Sequence, residues 1–237
     1  MAGAKLPYDA EVEYIEATGT QCINIGNQFH RDVTGGGVTV WGCVCAARMM
    51  WTHVPTSCEV LCGAQHYTTQ QGMNSARYSP LTSAYNTPSK WGRAEKAGWV
   101  DTNIGIVAGE IVQANGQLSS VASFLRVGSQ TSYKNDNFFW GDGTTNAPMA
   151  VFARTVIGSS GLSYSFFAHA RLYYLIIYTP TSGTVVHRYI PVRVGTVGYL
   201  YDEINPTGGP NGNGLYGNAL TGDFILGQDR GSGRNRR

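Results

Sequence analysis

Glu11-Val12-Glu13-Tyr14-Ile15-Glu16 places three carboxylates within one short run near the start of the chain. Two carboxylates about 5 Å apart are the equipment of retaining sugar hydrolysis, one acting as nucleophile and the other as general acid and base. Glu11 and Glu16 are the pair whose spacing allows that chemistry. A second chemistry is recognition without cleavage. Aromatic rings stack on sugar faces while amides and carboxylates take the hydroxyl hydrogen bonds. Trp51, Tyr67, Tyr78, Tyr85, Trp91 and Trp99 stand in or beside an irregular region rich in Ser, Thr and Gln. Tyr133, Phe138, Phe139, Trp140 and Asp142 form a second set in YKNDNFFWGDGTTN. Recognition is usually carried by loops on a rigid scaffold. The ligand-binding candidates drawn from these sets are therefore Trp51, Tyr85, Trp91, Trp99, Trp140 and Asp142. Aromatics also dominate cores and interfaces, so packing competes with binding for each of them.

Other chemistries are poorly supported. The five cysteines, Cys22, Cys43, Cys45, Cys58 and Cys62, are odd in number, which argues against a complete disulfide framework. Cys43-x-Cys45 and Cys58-x3-Cys62 lack the Cys-x2-Cys spacing of a zinc knuckle. Cys43 and Cys45 sit on one face of an apparent strand and read as small buried hydrophobes. His30, His53, His66, His169 and His187 show no metal-type spacing. Gly158-Ser159-Ser160-Gly161 lacks the nucleophile-elbow pattern, and there is no phosphate loop.

These residues need a scaffold, and composition bounds it. The chain has 237 residues, 42% hydrophobic, with 31 glycines and only 14% charged residues. That suits one large, turn-rich all-β domain. A net charge of +2 gives no case for nucleic acid as a partner, although Arg230, Arg234, Arg236 and Arg237 cluster at the end. No run approaches the ~20 apolar residues of a membrane span, and MAGAKLPYDAEVEY has no apolar signal-peptide core.

Alternation and turn residues predict strands at Val12–Ala17, Gln21–Ile25, Val38–Arg48, Met149–Ile157, Tyr164–Tyr178, Thr184–Arg193, Gly198–Tyr201 and Asp223–Leu226. Tyr164–Tyr178 is long enough to hold a bend or bulge. Asn27–Gly37 reads as a loop, and Met49–Ala97 as the least regular part, with short strands at Glu59–Gly63 and Met73–Tyr78. Ile104–Gln113 and Gln117–Val127 flank Ala114-Asn115-Gly116, a hairpin signal. No stretch carries helical periodicity with caps. The expectation is a two-sheet antiparallel sandwich with minimal helix. Its boundaries are an N-terminal arm over 1–10, the domain over 11–229 and a basic tail over 230–237.

Three segments sharpen this. EYIEATGTQCINIG (Glu13–Gly26), MAVFARTVIGSSG (Met149–Gly161) and RYIPVRVGTVGYLYDEINPTGGPNGNGLYGNALTGDFILG (Arg188–Gly227) resemble motifs of a concanavalin A-like, laminin-G-like jelly-roll family of gut bacteria and their phages. The resemblance implies a jelly roll whose first and last strands lie side by side. It implies a non-enzymatic virion or surface protein, such as a capsid decoration or a fibre or tail component. Such a protein would be assembled in the host cytoplasm and bind cell-surface glycan or other virion subunits, as a homo-oligomer. It also raises calcium at the sandwich rim, with Asp142, Asp202 and Asp223 as oxygen ligands; Asp202 equally suits capping of the Tyr201–Asn205 turn. Sandwich glycosidases of the same fold carry Glu-x-Asp-x-x-Glu mid-chain. Here the middle residue is Glu13 and the run is N-terminal, so hydrolysis by Glu11 and Glu16 is the alternative. A purely structural subunit is another.

Overall fold

The computed structural model describes residues 6–230 apart from 27, 29, 34–36, 38, 67–75, 96–97, 120–122, 135–147 and 159. The described residues form strands and turns and no helix. In chain order the first ten strands are β1 (Ala10–Glu11), β2 (Ile15–Thr18), β3 (Ile23–Asn24), β4 (His30–Val33), β5 (Thr39–Trp51), β6 (Val60–His66), β7 (Ala76–Ser83), β8 (Lys90–Glu95), β9 (Gly98–Gly105) and β10 (Val112–Ser119). The rest are β11 (Ser123–Val127), β12 (Gln130–Lys134), β13 (Ala150–Val151), β14 (Arg154–Gly158), β15 (Gly161–Ser165), β16 (His169–Tyr178), β17 (Val185–Val194), β18 (Val197–Asp202), β19 (Leu215–Tyr216) and β20 (Ile225–Leu226).

The larger sheet runs β12-β11-β10-β5-β16-β17-β18-β19, with β4 on β5, β2 on β16, β1 on β17 and β20 on β2. The smaller runs β15-β14-β6-β7-β8-β9, with β13 on β6 and β3 on β13. Pairing is antiparallel except between β14 and β6. The protein is thus an all-β, two-sheet sandwich of the jelly-roll type. As expected, the two ends of the chain meet: Ile15 pairs with Leu226 and Glu16 with Ile225, and Val12 bridges to Asp229. Gly227 permits this closure, because a Cβ there would lie 2.9 Å from the Tyr14 backbone nitrogen.

Alternation along β5 defines the two faces of the large sheet. Cys43, Cys45, Ala47, Met49 and Trp51 point to the smaller sheet and are buried, while Val44, Ala46 and Arg48 point away. Ile15, Leu61, Leu81, Phe152, Leu172 and Tyr189 complete the core between the layers. Fully burying a side chain of this size contributes ~1.5–3 kcal/mol. Trp51 on β5 meets Trp91 on β8 edge to face, with ring centroids 5.7 Å apart, so one aromatic contact ties the sheets together. The five cysteines are buried, and for Cys43 and Cys45 this agrees with their reading as small buried hydrophobes.

β17 breaks the alternation, because residues 189–192 are all buried. Tyr189 faces the core. Ile190 and Val192 face out and are covered by Tyr8, Tyr199, Tyr201 and Leu215. Tyr8, within the N-terminal arm expected over 1–10, therefore lies on the sandwich, its ring 5.0 Å from that of Tyr201.

The structure corrects several sequence expectations. Asn115-Gly116 is not a hairpin turn. β10 runs straight through it between β5 and β11, pairing Gly116 with Cys45 and Leu125, and the reversal into the antiparallel β11 comes only after Ser119. A central strand with a neighbour on both sides satisfies the backbone better than an isolated turn, which overrides the local Asn-Gly preference. Asn27–Gly37 contains β4. Met49–Ala97 holds the end of β5 and three of the eight strands of the small sheet (β6, β7 and β8). Tyr164–Tyr178 does hold a bend, at Phe166 with its φ of 56°, but the chain changes layers there, so the segment is two strands in different sheets.

Candidate functional site

The outer face of the large sheet carries an open groove of about 390 Å³. Its floor follows from strand register. One cross-strand row runs Tyr178 (β16), Val44 (β5), Gln117 (β10), Phe124 (β11), Tyr133 (β12). The next row runs Ile176, Ala46, Asn115, Arg126, Thr131 on the same strands. Directly opposed residues share a face, so each row is a line of side chains across five strands. Val44 in the first row and Ala46 beside it in the second are short; Tyr178 and Phe124, on either side of Val44 and Gln117 in the first row, are tall. That difference in height makes the depression. At a strand spacing of ~4.8 Å, Tyr178 and Phe124 stand about 14 Å apart.

The β16–β17 loop forms one wall, with Thr179, Pro180, Thr181 and Gly183 lining the groove. The loop is braced internally. Thr179 Oγ1 lies 2.5 Å from Ser182 Oγ, the Thr184 N–H donates to Thr179 Oγ1, and Gln117 Nε2 donates to the Pro180 carbonyl at 3.3 Å. Arg126 lines the opposite side, its Nε donating to the Gly128 carbonyl at 3.2 Å. Tyr133, at the end of the first row, is 58% exposed. The result is two aromatic rings and a third beyond them, an amide, a guanidinium and loop hydroxyls around a short apolar floor. Volume and lining fit a small-ligand site, and the mixture suits stacking combined with hydroxyl hydrogen bonds.

The sequence-derived binding residues fare differently. Trp51 and Trp91 are each 1% exposed in the inter-sheet core and have no ring face to offer a ligand; they fill the space between layers because large rings bury the most area. Tyr85 is 51% exposed on the β7–β8 turn, meeting Phe166 edge-on, and so belongs to the smaller sheet and not to the groove. Trp99 lies on β9, the edge of the smaller sheet, opposite Ala94. Trp140 and Asp142 lie outside the described residues, as do Tyr67, Phe138 and Phe139. Among the described candidate aromatics, Tyr133 joins the groove row. Phe124, Arg126, Asn115 and Tyr178 escaped notice, three because the Asn115-Gly116 segment read as a turn and displaced the register; the alternation of Val44, Ala46 and Arg48 was the available signal.

Glu11 and Glu16 do not share a strand. Glu11 is on β1 opposite Val192, and Glu16 is on β2 between Arg171 and Ile225. The Arg171 Nε donates to Glu16 Oε2 at 2.5 Å, and its guanidinium sits 4.4 Å from the Tyr14 ring centroid. Glu16 is thereby committed to an ion pair at a position paired with a strand on either side.

Asp202 does not suit calcium. It is fully buried, and its carboxylate already accepts from His187 Nδ1 at 2.6 Å, from the Ile204 and Arg188 N–H groups at 3.1 and 3.3 Å, and from Asn205 Nδ2 at 3.2 Å. It caps the turn. Burial pushes its pKa up, but the His187 contact, the Arg188 N–H and Asn205 outweigh burial and hold the carboxyl below its usual 3.8. Asp223 is exposed just before β20, where its carbonyl accepts from Gln21 Nε2 at 3.0 Å.

No protein-family model and no curated protein matches the chain. Among solved structures, a Trypanosoma rangeli sialidase in complex with the inhibitor DANA is similar at 13% identity and a TM-score of 0.42, over 74% of this chain and 32% of the sialidase. The chain thus spans about a third of that protein's length, and a likeness at this level carries no argument about activity. No described helix is long and apolar enough to cross a membrane.

Proposed function

We propose that this chain is a non-enzymatic, concanavalin A-like glycan-binding protein whose site is the groove on the outer face of its large sheet. The observation that carries this reading is the pair of cross-strand rows: Val44 lies low between Phe124 and Tyr178, with Ala46, Asn115 and Arg126 in the adjacent row. Phe124 and Tyr178 offer rings to the apolar faces of sugars. Asn115 and Arg126 offer hydrogen bonds to hydroxyl or carboxylate oxygens. A floor spanning several strands suits an extended glycan.

The resemblance of the three sequence motifs supports a setting in a phage virion or at a surface, as a decoration, fibre or tail component that repeats as a homo-oligomer. There the ligand is a cell-surface glycan. A glycan-array screen of the purified protein, with its mass in solution measured alongside, tests the reading. Binding to a defined glycan class without release of sugar supports it. A stable oligomer that binds no glycan favours a purely structural subunit, and sugar release abolished by Glu16→Gln favours a glycosidase.

A further inference from the structure

Away from the groove, three residues that are far apart in sequence converge at the edge between the sheets. His53 follows β5, Glu59 precedes β6 and His169 opens β16. Glu59 is buried and rigidly placed: its N–H donates to Ser83 Oγ at 2.9 Å, and its carbonyl accepts from the Ser83 N–H and from Thr82 Oγ1, each at 2.9 Å. Its Oε1 lies 2.8 Å from His53 Nε2 and 3.2 Å from His169 Nδ1, while Oε2 accepts from the His169 N–H at 2.8 Å. The two imidazoles meet edge to face at 4.5 Å.

The surroundings hold the rings in place. Thr52 donates both its N–H and its Oγ1 to the His169 carbonyl at 3.0 Å. Gly19, at φ +87°, passes so close that a Cβ there would stand 2.3 Å from His169 Cε1 and Nε2. Only glycine leaves the imidazole where it is.

We propose that His53, Glu59 and His169 bind a divalent transition-metal ion, with Zn²⁺ the best fit. The three ligand atoms lie within 4.8 Å of one another. Two imidazole nitrogens and one carboxylate oxygen are a zinc donor set, and one that leaves a coordination position open; calcium and magnesium prefer oxygen ligands throughout. Tetrahedral bonds of ~2.1 Å set ligand atoms about 3.4 Å apart, so an ion would widen the present Oε1–nitrogen separations by a few tenths of an ångström to somewhat more than half an ångström. The imidazole side chains are 39% and 40% exposed, which gives them room to move and opens the fourth position to water. A buried carboxylate is costly unless its charge is met, and a bound dication would meet it directly. The ion would clamp β5 and β16 of one sheet to β6 of the other.

The test is calorimetric titration of Zn²⁺ into untagged, chelator-stripped full-length protein, repeated with Co²⁺ and read by visible absorption. The expected result is saturable uptake of one ion per chain, tetrahedral Co²⁺ bands and a Zn²⁺-dependent rise in melting temperature. His53→Ala, at a half-buried position, and Glu59→Gln, which keeps the side chain's shape, should each abolish all three, with the fold checked by circular dichroism. No saturable uptake by the wild type, or uptake unchanged in a folded variant of either kind, overturns the proposal and leaves Glu59 a hydrogen-bond anchor for two histidines.

Discussion

At the scale of single residues, position in the sheet decides role more than residue type does. Tyr178 and Trp91 are both aromatic residues on strands, yet one flanks an open groove and the other is sealed between layers. Tyr178→Ala should weaken glycan binding by about 2- to 10-fold, the value of one aromatic contact, with an unfolding midpoint close to wild type in urea. Asp202 makes the opposite prediction. Asp202→Asn keeps the shape but loses the charge that His187 faces, and should cost ~1–3 kcal/mol at pH 7. Because the native carboxyl is held below 3.8, its stabilisation is fully present above about pH 4 and is lost as pH falls through the lower native pKa. Urea unfolding at pH 7 and pH 3 should therefore find the gap between variant and wild type wide at the first pH and narrowed at the second. The turn-capping role of Asp202 was legible from its place before Asn205. Its partner His187, 15 residues earlier, was not, because only the pairing of β17 with β18 brings the two together.

At the scale of elements, the chain closes by setting β2 between β16 and β20. Gly227 follows β20 where its backbone N–H donates to the Tyr14 carbonyl at 2.9 Å, and a methyl group there would strike backbone. Gly227→Ala should cost ~1–3 kcal/mol, the usual cost of overpacking, measurable as a lowered urea midpoint. The closing strands were legible because the motifs at both ends alternate clearly. β10 was misread for a physical reason: Asn-Gly favours a two-residue turn locally, whereas pairing with β5 and β11 satisfies the same backbone through two neighbours. Local preference of that kind is weaker than the tertiary pairing that a single sequence does not display. The groove depends on this strand, so misplacing the turn also hid the site.

At the scale of the whole molecule, two layers are joined by a core in which the Trp51–Trp91 contact spans both sheets. Trp91→Ala should destabilise by about 3–5 kcal/mol and lower glycan binding only in proportion to the protein lost to unfolding; thermal melts beside binding isotherms check this. The all-β class was legible from composition and turn spacing. The proposed binding face was not, because it is assembled from five strands that span residues 44 to 178 and acquires its shape only from their register. The most direct test of the central claim is a calorimetric titration of the best array glycan into wild type and into the Phe124→Ala/Tyr178→Ala double variant, both verified as folded. A loss of affinity of at least 10-fold in the double variant is the predicted result; unchanged affinity would place the glycan elsewhere and contradict the account.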